Sequence, residues 1–420
     1  MLVIIMLFSI AGDSADDTDT IAGGADEITN GIERRDPNKK LNEKHGRKKN
    51  GGLAFFNNNF SEEEKLEKIL RASVHLIDVH VQASDLSGNE AYQNVQGVFC
   101  TLDWATHKKN PSASAMFREL VSQSPGCQSD RFTMDLKTVV NAALKHDLEA
   151  TDVKILQPKG FVFHESRCGS TLVANSLAAF APERNRVYTE SSPPVSVLVA
   201  CSTSGQCNDE IQADLFRDVL YLMGRTDDLK EENLFFKFQS VTSLHIDVAR
   251  LSFPDVPWMF VYRDPVQVMM SHLVPVSNAV CLKHKRRPLK ETQALVQRIV
   301  HKRADHLSSE EFCAAHLASL CESALHEASA SGTGRMVNYD TLPDILMDDI
   351  IPNYFLPAGS TFGEREKENI RRVSGVYSKG HGKTKEWVED SDKKEQTATD
   401  QIRQAASIFL QSSYDAFSEL

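Results

Sequence analysis

Short apolar runs alternate with helix-like patterns through the centre of the chain. Runs of aromatic and β-branched residues predict strands, and the segments after them carry apolar residues at helical spacing. The main predicted strands are 161–163, 234–238 and 258–262, each followed by a predicted helix, over 170–180, 244–251 and 266–273. Further predicted elements are strands at 186–188 and 335–339, a helix-rich segment over 290–330 and a terminal helix over 397–417. This alternation favours an α/β fold with a central parallel β-sheet flanked by helices.

The same pattern divides the chain into four parts. Residues 13–52 are polar and show no hydrophobic period, which is typical of a disordered linker. Apolar residues recur at helical spacing over 62–81 and over 134–148, which predicts two amphipathic helices. The predicted parts are a leader or short anchor over 1–15, a linker over 16–52, a helical accessory region over 53–157 and the main α/β domain over 158–420.

The first residues form an apolar run over 2–10. It is shorter than the roughly 20 residues that a membrane-spanning helix needs, and it suits the core of a secretory signal peptide, although no Lys or Arg precedes it. A signal peptide predicts a Golgi or secreted protein with a mature start between about Gly12 and Asp16. The sequon at Asn59 fits such a glycoprotein. The alternatives are a short membrane anchor and, if the run is not a signal, a cytoplasmic protein.

Eight cysteines form an even set, which is compatible with disulfides in an oxidising compartment. The candidate pairs are Cys100 with Cys127 and Cys201 with Cys207. Cys313 and Cys321 would lie two turns apart on one helix, which is too far for a bridge. Reduced core cysteines remain the alternative.

Composition narrows the function classes. Apolar residues make up 41% and charged residues 25% of the chain, which is typical of a soluble globular protein. A formal net charge of -11 argues against nucleic acid or anionic lipid as a partner. An anionic ligand would therefore need a local basic site. The histidines are scattered and no paired CxxC or HExxH occurs, so no metal is expected.

A small polar loop separates the first main strand from its helix. Free amides at a helix N-terminus attract anions, Gly169 permits close backbone approach, and Arg167 offers a guanidinium fork. The candidate binding residues are Ser166, Arg167, Cys168, Gly169, Ser170, Thr171 and Leu172. An ordinary capped helix is the alternative. A serine follows Gly169 where a nucleotidase loop has lysine, so the loop is not of that type.

A second strand-to-helix corner has related chemistry. Arg263 follows the strand 258–262, and Ser271 lies eight residues later on the predicted helix. In open α/β sheets ligands bind at the carboxyl ends of the strands. Arg263 and Ser271 could therefore contact one phosphate, whereas an Arg263–Asp264 surface pair is the alternative.

Together these two corners resemble those of sulfotransferases that use 3'-phosphoadenosine 5'-phosphosulfate. In that family a loop reading Pro-Lys-Ser-Gly-Thr-Thr or Arg-Ser-Gly-Ser-Thr holds the 5'-phosphosulfate, and here it reads Ser-Arg-Cys-Gly-Ser-Thr over 166–171. An aliphatic strand, Tyr-Arg-Asp-Pro and a later serine bind the 3'-phosphate, and here they lie over 258–271. The resemblance covers about 160–273. It implies a P-loop-like sulfotransferase fold, this nucleotide as donor and a hydroxyl acceptor, namely a sugar, a tyrosine, a sterol or a phenol.

The resemblance also implies roles for single residues. Arg167 would stabilise the leaving phosphate, and Glu190, after the predicted strand 186–188, would be the base, as in the Golgi branch that acts on carbohydrate or tyrosine. His245 is the competing base, as in the cytosolic branch. Lys237 is a candidate sulfonate contact or, alternatively, an edge-strand lysine that reaches solvent.

Lys379 and Gly380 are similar to the basic loop near the family's 3'-phosphate. The basic run over 283–287 could attract an acidic acceptor, but a solvated basic loop is the favoured interpretation. The rival functions are a P-loop kinase or other nucleotidase and a non-catalytic binding protein on the same fold.

Overall fold

A computed structural model describes residues 60–202, 207–276, 279–376 and 388–420. The predicted leader and linker over 1–52, Asn59 of the sequon, Lys379 and Gly380 lie outside these residues. Within them, no helix is both long and apolar enough to cross a membrane.

The region before the main sheet combines helices with a small antiparallel sheet. Its elements are α1 (Glu62–Leu70), β1 (His75–His80), β2 (Gln96–Cys100), α2 (Trp104–Lys109), α3 (Phe117–Gln123), α4 (Gly126–Ser129), β3 (Phe132–Asp135) and α5 (Leu136–Asp147). Strand β2 lies between β1 and β3 and pairs antiparallel with both.

Of the two helices predicted for this region, one is confirmed and the other is only partly present. The helix predicted over 134–148 is confirmed as α5. The helix predicted over 62–81 is wrong beyond Leu70. Ser61 and Glu64 form a capping box that starts α1, but Ala72 adopts a positive φ of 52° and the chain then enters β1. Pairing with β2 satisfies the backbone of β1, and that tertiary contact overrides the helical spacing of its apolar residues.

The main sheet confirms the predicted α/β class. Its strand order is β10-β9-β5-β8-β6, and every neighbouring pair is parallel. The helices and strands after α5 are β4 (Lys154–Ile155), β5 (Pro158–His164), α6 (Ser170–Ala179), β6 (Asn185–Thr189), α7 (Ser192–Val199), α8 (Asp209–Gly224), β7 (Arg225–Thr226), β8 (Asn233–Lys237), α9 (Ile246–Ser252), β9 (Trp258–Tyr262), α10 (Pro265–Leu273), α11 (Lys290–Val300), α12 (Ser309–Ser331), β10 (Gly334–Asn338), α13 (Glu364–Ser374), α14 (Ser391–Thr397), α15 (Asp400–Phe409) and α16 (Gln411–Ser418). The predicted terminal helix is therefore two helices, which meet near Leu410. Strands β4 and β7 pair antiparallel with each other, outside the main sheet.

Alternate side chains of the central strands enter two hydrophobic clusters, one on each face of the sheet. On β5, Phe161 and Phe163 join one cluster and Val162 joins the other. This period of two explains why the strands read as continuous apolar runs: both faces are covered. The first cluster also contains Leu76 and Phe132 of the small sheet. The described residues 60–157 thus share a core with the main sheet.

Parallel pairing brings the carboxyl ends of the strands to one edge of the sheet. The segments that follow β5, β6, β8 and β9 contain Arg167, Glu190, Phe238 and Arg263 respectively. The fold therefore gathers at one edge residues that are far apart along the chain.

Three disulfides fasten the loops around this framework. The bonded pairs are Cys100–Cys127, Cys201–Cys207 and Cys281–Cys313. The first two are the predicted candidate pairs. The third was not predicted, but it agrees with the expectation that Cys313 and Cys321 do not bridge. Cys168 and Cys321 are buried thiols.

Candidate anion-binding site

The loop between β5 and α6 has an unusual backbone. Ser166, Arg167 and Gly169 have positive φ values of 79°, 56° and 83°. At Gly169 a Cβ atom would lie 2.6 Å from the Tyr339 ring, so both the conformation and the space require glycine. The loop therefore packs directly against Tyr339 and leads into the N-terminus of α6.

A cavity of about 520 Å³ opens at this loop. The loop residues Arg167, Gly169, Thr171 and Leu172 line it. The buried Nε of Arg167 has no hydrogen-bond partner among the described residues. A buried N–H without an acceptor is costly, and an anion in the cavity would satisfy it.

The remaining loop candidates do not line the cavity with their side chains. The Cys168 thiol points into the core and donates to the Val261 carbonyl at 3.0 Å. Ser170 is buried at the start of α6, and the Ser166 amide donates to His164 Nδ1 at 2.9 Å. Cys168 therefore anchors the loop to β9, and a contact from it to a ligand would have to come from its backbone.

The second arginine, Arg263, lines the same cavity but already contacts four other side chains. Its Nε donates to Gln267 at 2.9 Å, and its Nη2 donates to Ser391 Oγ at 2.8 Å. Asp390 lies 3.6 Å away, and the guanidinium stacks 3.9 Å from the centre of the Tyr339 ring. Since Tyr339 also packs on Gly169, one aromatic ring joins the two predicted corners.

Helix α10 places the predicted serine beside Arg263. Ser271 lines the cavity, and its hydroxyl donates to the Gln267 carbonyl one turn earlier, at 2.9 Å. Asp264 caps this helix by accepting two backbone N–H groups, at 2.9 and 3.0 Å. The alternative Arg263–Asp264 surface pair is therefore not what the structure contains: Arg263 is buried, and Asp264 is a helix cap.

Sequence reasoning missed two basic residues of the cavity, Lys393 and Lys394 of α14. They stand in a polar segment with no motif, so only their charge could have drawn attention to them. Burial lowers the pKa of Lys394, and the nearby charge of Arg263 lowers it further, while the hydrogen bond to Asp390 opposes both. Four cationic side chains and one carboxylate thus line the cavity, an excess of positive charge that favours an anionic ligand.

Glu190 and Lys237 form an ion pair beside the loop. Glu190 follows β6 with a positive φ of 54°, its amide donates to the Lys237 carbonyl at 2.6 Å, and Lys237 Nζ contacts its carboxylate. His164 Nε2 lies 3.9 Å from the same carboxylate, while its Nδ1 accepts from the Ser166 amide. One imidazole therefore separates Glu190 from the loop, although Glu190 and Lys237 are not among the described residues that line the cavity.

The burial of Lys237 argues against the reading as an edge-strand lysine. Its strand, β8, lies between β5 and β6 in the sheet, and the side chain is fully buried. A buried ammonium needs a partner, which Glu190 provides. The Glu190 side chain keeps 20% of its surface exposed and can therefore be reached from outside.

His245, the competing base, lies elsewhere. Its Nε2 is 2.8 Å from the Ser202 hydroxyl, and it does not line the cavity among the residues described. Burial lowers the pKa of His245 to about 4. It is thus a neutral, nearly buried imidazole that is already hydrogen-bonded to a serine.

A third residue missed by sequence reasoning is Glu165, the first residue after β5. Its carboxyl is buried; Oε1 accepts from the Arg263 backbone N–H at 2.5 Å, and Oε2 accepts from the Cys321 thiol at 3.5 Å. Burial raises the pKa of Glu165 to about 8, against the lowering effect of the Arg263 amide and the Cys321 thiol; Asp264 raises it slightly further. A glutamate beside an arginine-containing loop reads as a surface residue, so the sequence carries no signal for this contact.

One cluster has the composition of a metal site. Among the described residues, the ligand atoms of His272, Cys281 and Cys313 lie within 4.8 Å of one another. The two sulfurs are bonded to each other, so neither is available as a thiolate ligand. The cluster is therefore a buried disulfide beside a histidine.

The chain was compared with protein families, curated proteins and solved structures. No family model and no curated protein matches it. Solved structures that resemble it include the sulfotransferase domain from the Synechococcus PCC 7002 olefin synthase, with 15% identity and a TM-score of 0.35 over 61% of this chain and 95% of that one. Sulfotransferase STF9 from Mycobacterium avium has 11% identity and a TM-score of 0.36, covering 87% of this chain and 96% of that one.

Sulfotransferase STF1 from Mycobacterium tuberculosis H37Rv has 13% identity and a TM-score of 0.32, covering 76% of this chain and 86% of that one. These identities and TM-scores are low. The likeness is therefore too weak to assign the chain to a family or to transfer an activity to it.

Proposed function

We propose that the protein is a sulfotransferase that moves the sulfonate of 3'-phosphoadenosine 5'-phosphosulfate to a hydroxyl acceptor. The observation that carries this proposal is the shared cavity. Arg167 of the first corner and Arg263 of the second line one space of about 520 Å³, which suits a ligand with two separate anionic groups. The sequence resemblance of both corners to the donor site of this family supports the same ligand.

Each corner would take one end of the donor. The loop amides, Arg167 and Thr171 would bind the 5'-phosphosulfate at the N-terminus of α6. Arg263 and Ser271 would bind the 3'-phosphate, with Lys394 nearby. Arg263 would then exchange its contacts with Ser391 and Asp390 for the phosphate.

The chemistry needs a base and stabilisation of the leaving group. Glu190 would accept the proton of the acceptor hydroxyl as its oxygen bonds to sulfur. The bond from sulfur to the bridging phosphate oxygen would break, and adenosine 3',5'-bisphosphate would leave with Arg167 stabilising the negative charge that develops on its 5'-phosphate oxygen. Lys237, which is fully buried and contacts Glu190, would orient that carboxylate. His245 would have no role at the reacting atoms.

A kinase or nucleotidase fits the residues less well. Such enzymes hold magnesium with a carboxylate near the phosphates. The first acidic residue after β9, Asp264, already accepts two backbone N–H groups as a helix cap. The loop also has Ser170 where a nucleotidase loop has lysine.

Calorimetry tests the donor directly. Adenosine 3',5'-bisphosphate should bind the wild-type protein without added magnesium and more tightly than ATP or 5'-AMP. Tighter binding of ATP, or a requirement for magnesium, would favour the nucleotidase. A thermal-shift series with the same three nucleotides gives an independent readout.

Transfer of labelled sulfate tests catalysis and the acceptor together. The acceptors to compare are a sugar, a tyrosine peptide, a sterol and a phenol, since each presents a hydroxyl. Binding of adenosine 3',5'-bisphosphate with no transfer to any of the four classes would favour a non-catalytic binding protein on this fold.

Three disulfides support the proposed location in the secretory pathway, in the Golgi or as a secreted glycoprotein, because disulfides persist in oxidising compartments. Protein from a eukaryotic host, denatured without reductant, should titrate two thiols, those of Cys168 and Cys321, which are not disulfide-bonded. Eight free thiols together with an intact Met1 would point to the cytoplasm.

A further inference from the structure

Glu165 joins the two corners of the candidate site at the level of the backbone. It directly follows β5, at the start of the loop that carries Arg167, and its Oε1 accepts from the Arg263 N–H at 2.5 Å. Its own N–H donates to the Val261 carbonyl at 3.3 Å. The carboxyl is 2% exposed, so water does not compete for these contacts.

Helix α12 also contacts the Glu165 carboxyl. The thiol of Cys321, on α12, donates to Oε2 at 3.5 Å. Both carboxyl oxygens therefore have defined donors, one from Arg263 directly after β9 and one from Cys321 on α12, and the side chain has little freedom to move. The neighbouring Cys168 thiol, which donates to the Val261 carbonyl, adds a second bond between the same loop and β9.

We propose that Glu165 is a positioning residue that sets the separation of the two anion subsites, so that one ligand with two phosphates can engage both at once. It touches no reacting atom and acts through the backbone of Arg263. The proposal rests on the proposed function, since it presumes a ligand with two anionic groups.

Two-point binding makes the role measurable. When both subsites are correctly spaced, binding of one phosphate makes binding of the other effectively intramolecular, and the affinity of the whole ligand exceeds what its halves suggest. The quantity to compare is the product of the Kd values of 5'-AMP and 3'-AMP divided by the Kd of adenosine 3',5'-bisphosphate.

The test compares wild type with Glu165→Ala and Glu165→Gln by calorimetry with these three nucleotides. Glu165→Ala should lower the quotient by about tenfold or more, while each monophosphate keeps its affinity within about a factor of two. Glu165→Gln keeps an oxygen acceptor for the Arg263 N–H and should retain most of the quotient. An unchanged quotient in Glu165→Ala would overturn the proposal.

Glu231→Gln is the matched control for loss of a buried carboxylate. Glu231 is fully buried and pairs with Lys108 and Arg186, near the amino end of β6 and thus at the opposite edge of the sheet. Glu231→Gln should lower the melting temperature and leave the quotient unchanged. A fall of the quotient in Glu231→Gln equal to that in Glu165→Ala would mean a general loss of structure. The proposed function fails separately, if wild type itself shows no preference for the bisphosphate.

Discussion

The two arginine-bearing corners differ in how far their own chain satisfies them. Arg167 follows β5 with a positive φ, and its buried Nε has no partner among the described residues. Arg263 follows β9, lies under Tyr339, and is hydrogen-bonded to Gln267 and Ser391. The first corner is open to a ligand as it stands, whereas at the second a ligand must replace existing contacts.

This difference suggests a division of labour. An arginine that gains its hydrogen bonds only from the ligand can follow charge that develops there, which suits the leaving group of a transfer reaction. An arginine held in place by several partners is preorganised but loses some contacts on binding, which suits recognition of an unreacting phosphate. We therefore expect the chemistry to depend on the Arg167 side and donor recognition on the Arg263 side.

Loss of the base should have the largest effect. Glu190→Gln preserves shape and removes basicity, so turnover should fall by roughly 10²- to 10⁴-fold. Affinity for adenosine 3',5'-bisphosphate should barely change. Turnover and calorimetry on Glu190→Gln and His245→Ala in parallel test this. Near-normal turnover of the glutamine variant beside a failing His245 variant would transfer the base to His245.

Removal of Arg263 should mainly affect binding. Arg263→Ala removes charge-assisted hydrogen bonds to a phosphate and should weaken adenosine 3',5'-bisphosphate by about 1.5–3 kcal/mol. Arg263→Lys keeps the charge without the fork and should lie between alanine and wild type. Circular dichroism checks the fold. Wild-type affinity in a folded Arg263→Ala protein would remove this residue from the site.

Glu165, which connects the two corners, should make the free energy of unfolding depend on pH. The pKa of Glu165 is raised to about 8 from an ordinary 4.5, so between these values the native state holds a proton that the unfolded chain releases. The free energy of unfolding should therefore fall as pH rises through this window, by no more than about 1.4 kcal/mol per pH unit from this group. Below pH 4.5 both states hold the proton, so the group adds no pH dependence to the free energy of unfolding there.

Glu165→Gln cannot ionise and should remove this part of the pH dependence. Urea unfolding of both proteins at pH 5, 7 and 8.5 should show the variant gaining on wild type as pH rises. A difference in unfolding free energy that is constant across the three pH values would contradict a raised pKa at Glu165.

Release of the chain's own contact with Arg263 should have the smallest effect. Asp390 lies 3.6 Å from Arg263 and is half exposed, so Asp390→Asn should strengthen adenosine 3',5'-bisphosphate binding by less than about 1 kcal/mol. The gain should shrink at high salt. Asp392→Asn, on the same helix but away from the cavity lining, is the control. A loss of affinity in Asp390→Asn alone would mean that Asp390 helps to build the site.

Local pattern was enough to predict the sheet and the positions of the two arginines at strand ends. The strands 161–163, 234–238 and 258–262 are buried on both faces, so their apolar runs stand out without tertiary information. Short loops after such strands can be placed at one edge by topology alone. The disulfides Cys100–Cys127 and Cys201–Cys207 were within reach for a related reason, since each closes a short segment of chain.

The parallel α/β class and the positions of Arg167 and Arg263 at strand ends follow from the sequence, because hydrophobic period and element order are local properties. The partners of these residues follow from the packing of the fold. Ser391 reaches Arg263 across 128 residues of chain, and Cys321 reaches Glu165 across 156. Contacts of that separation depend on how helices pack on the sheet, and a single polar residue in a polar segment carries no periodic signal of its partner.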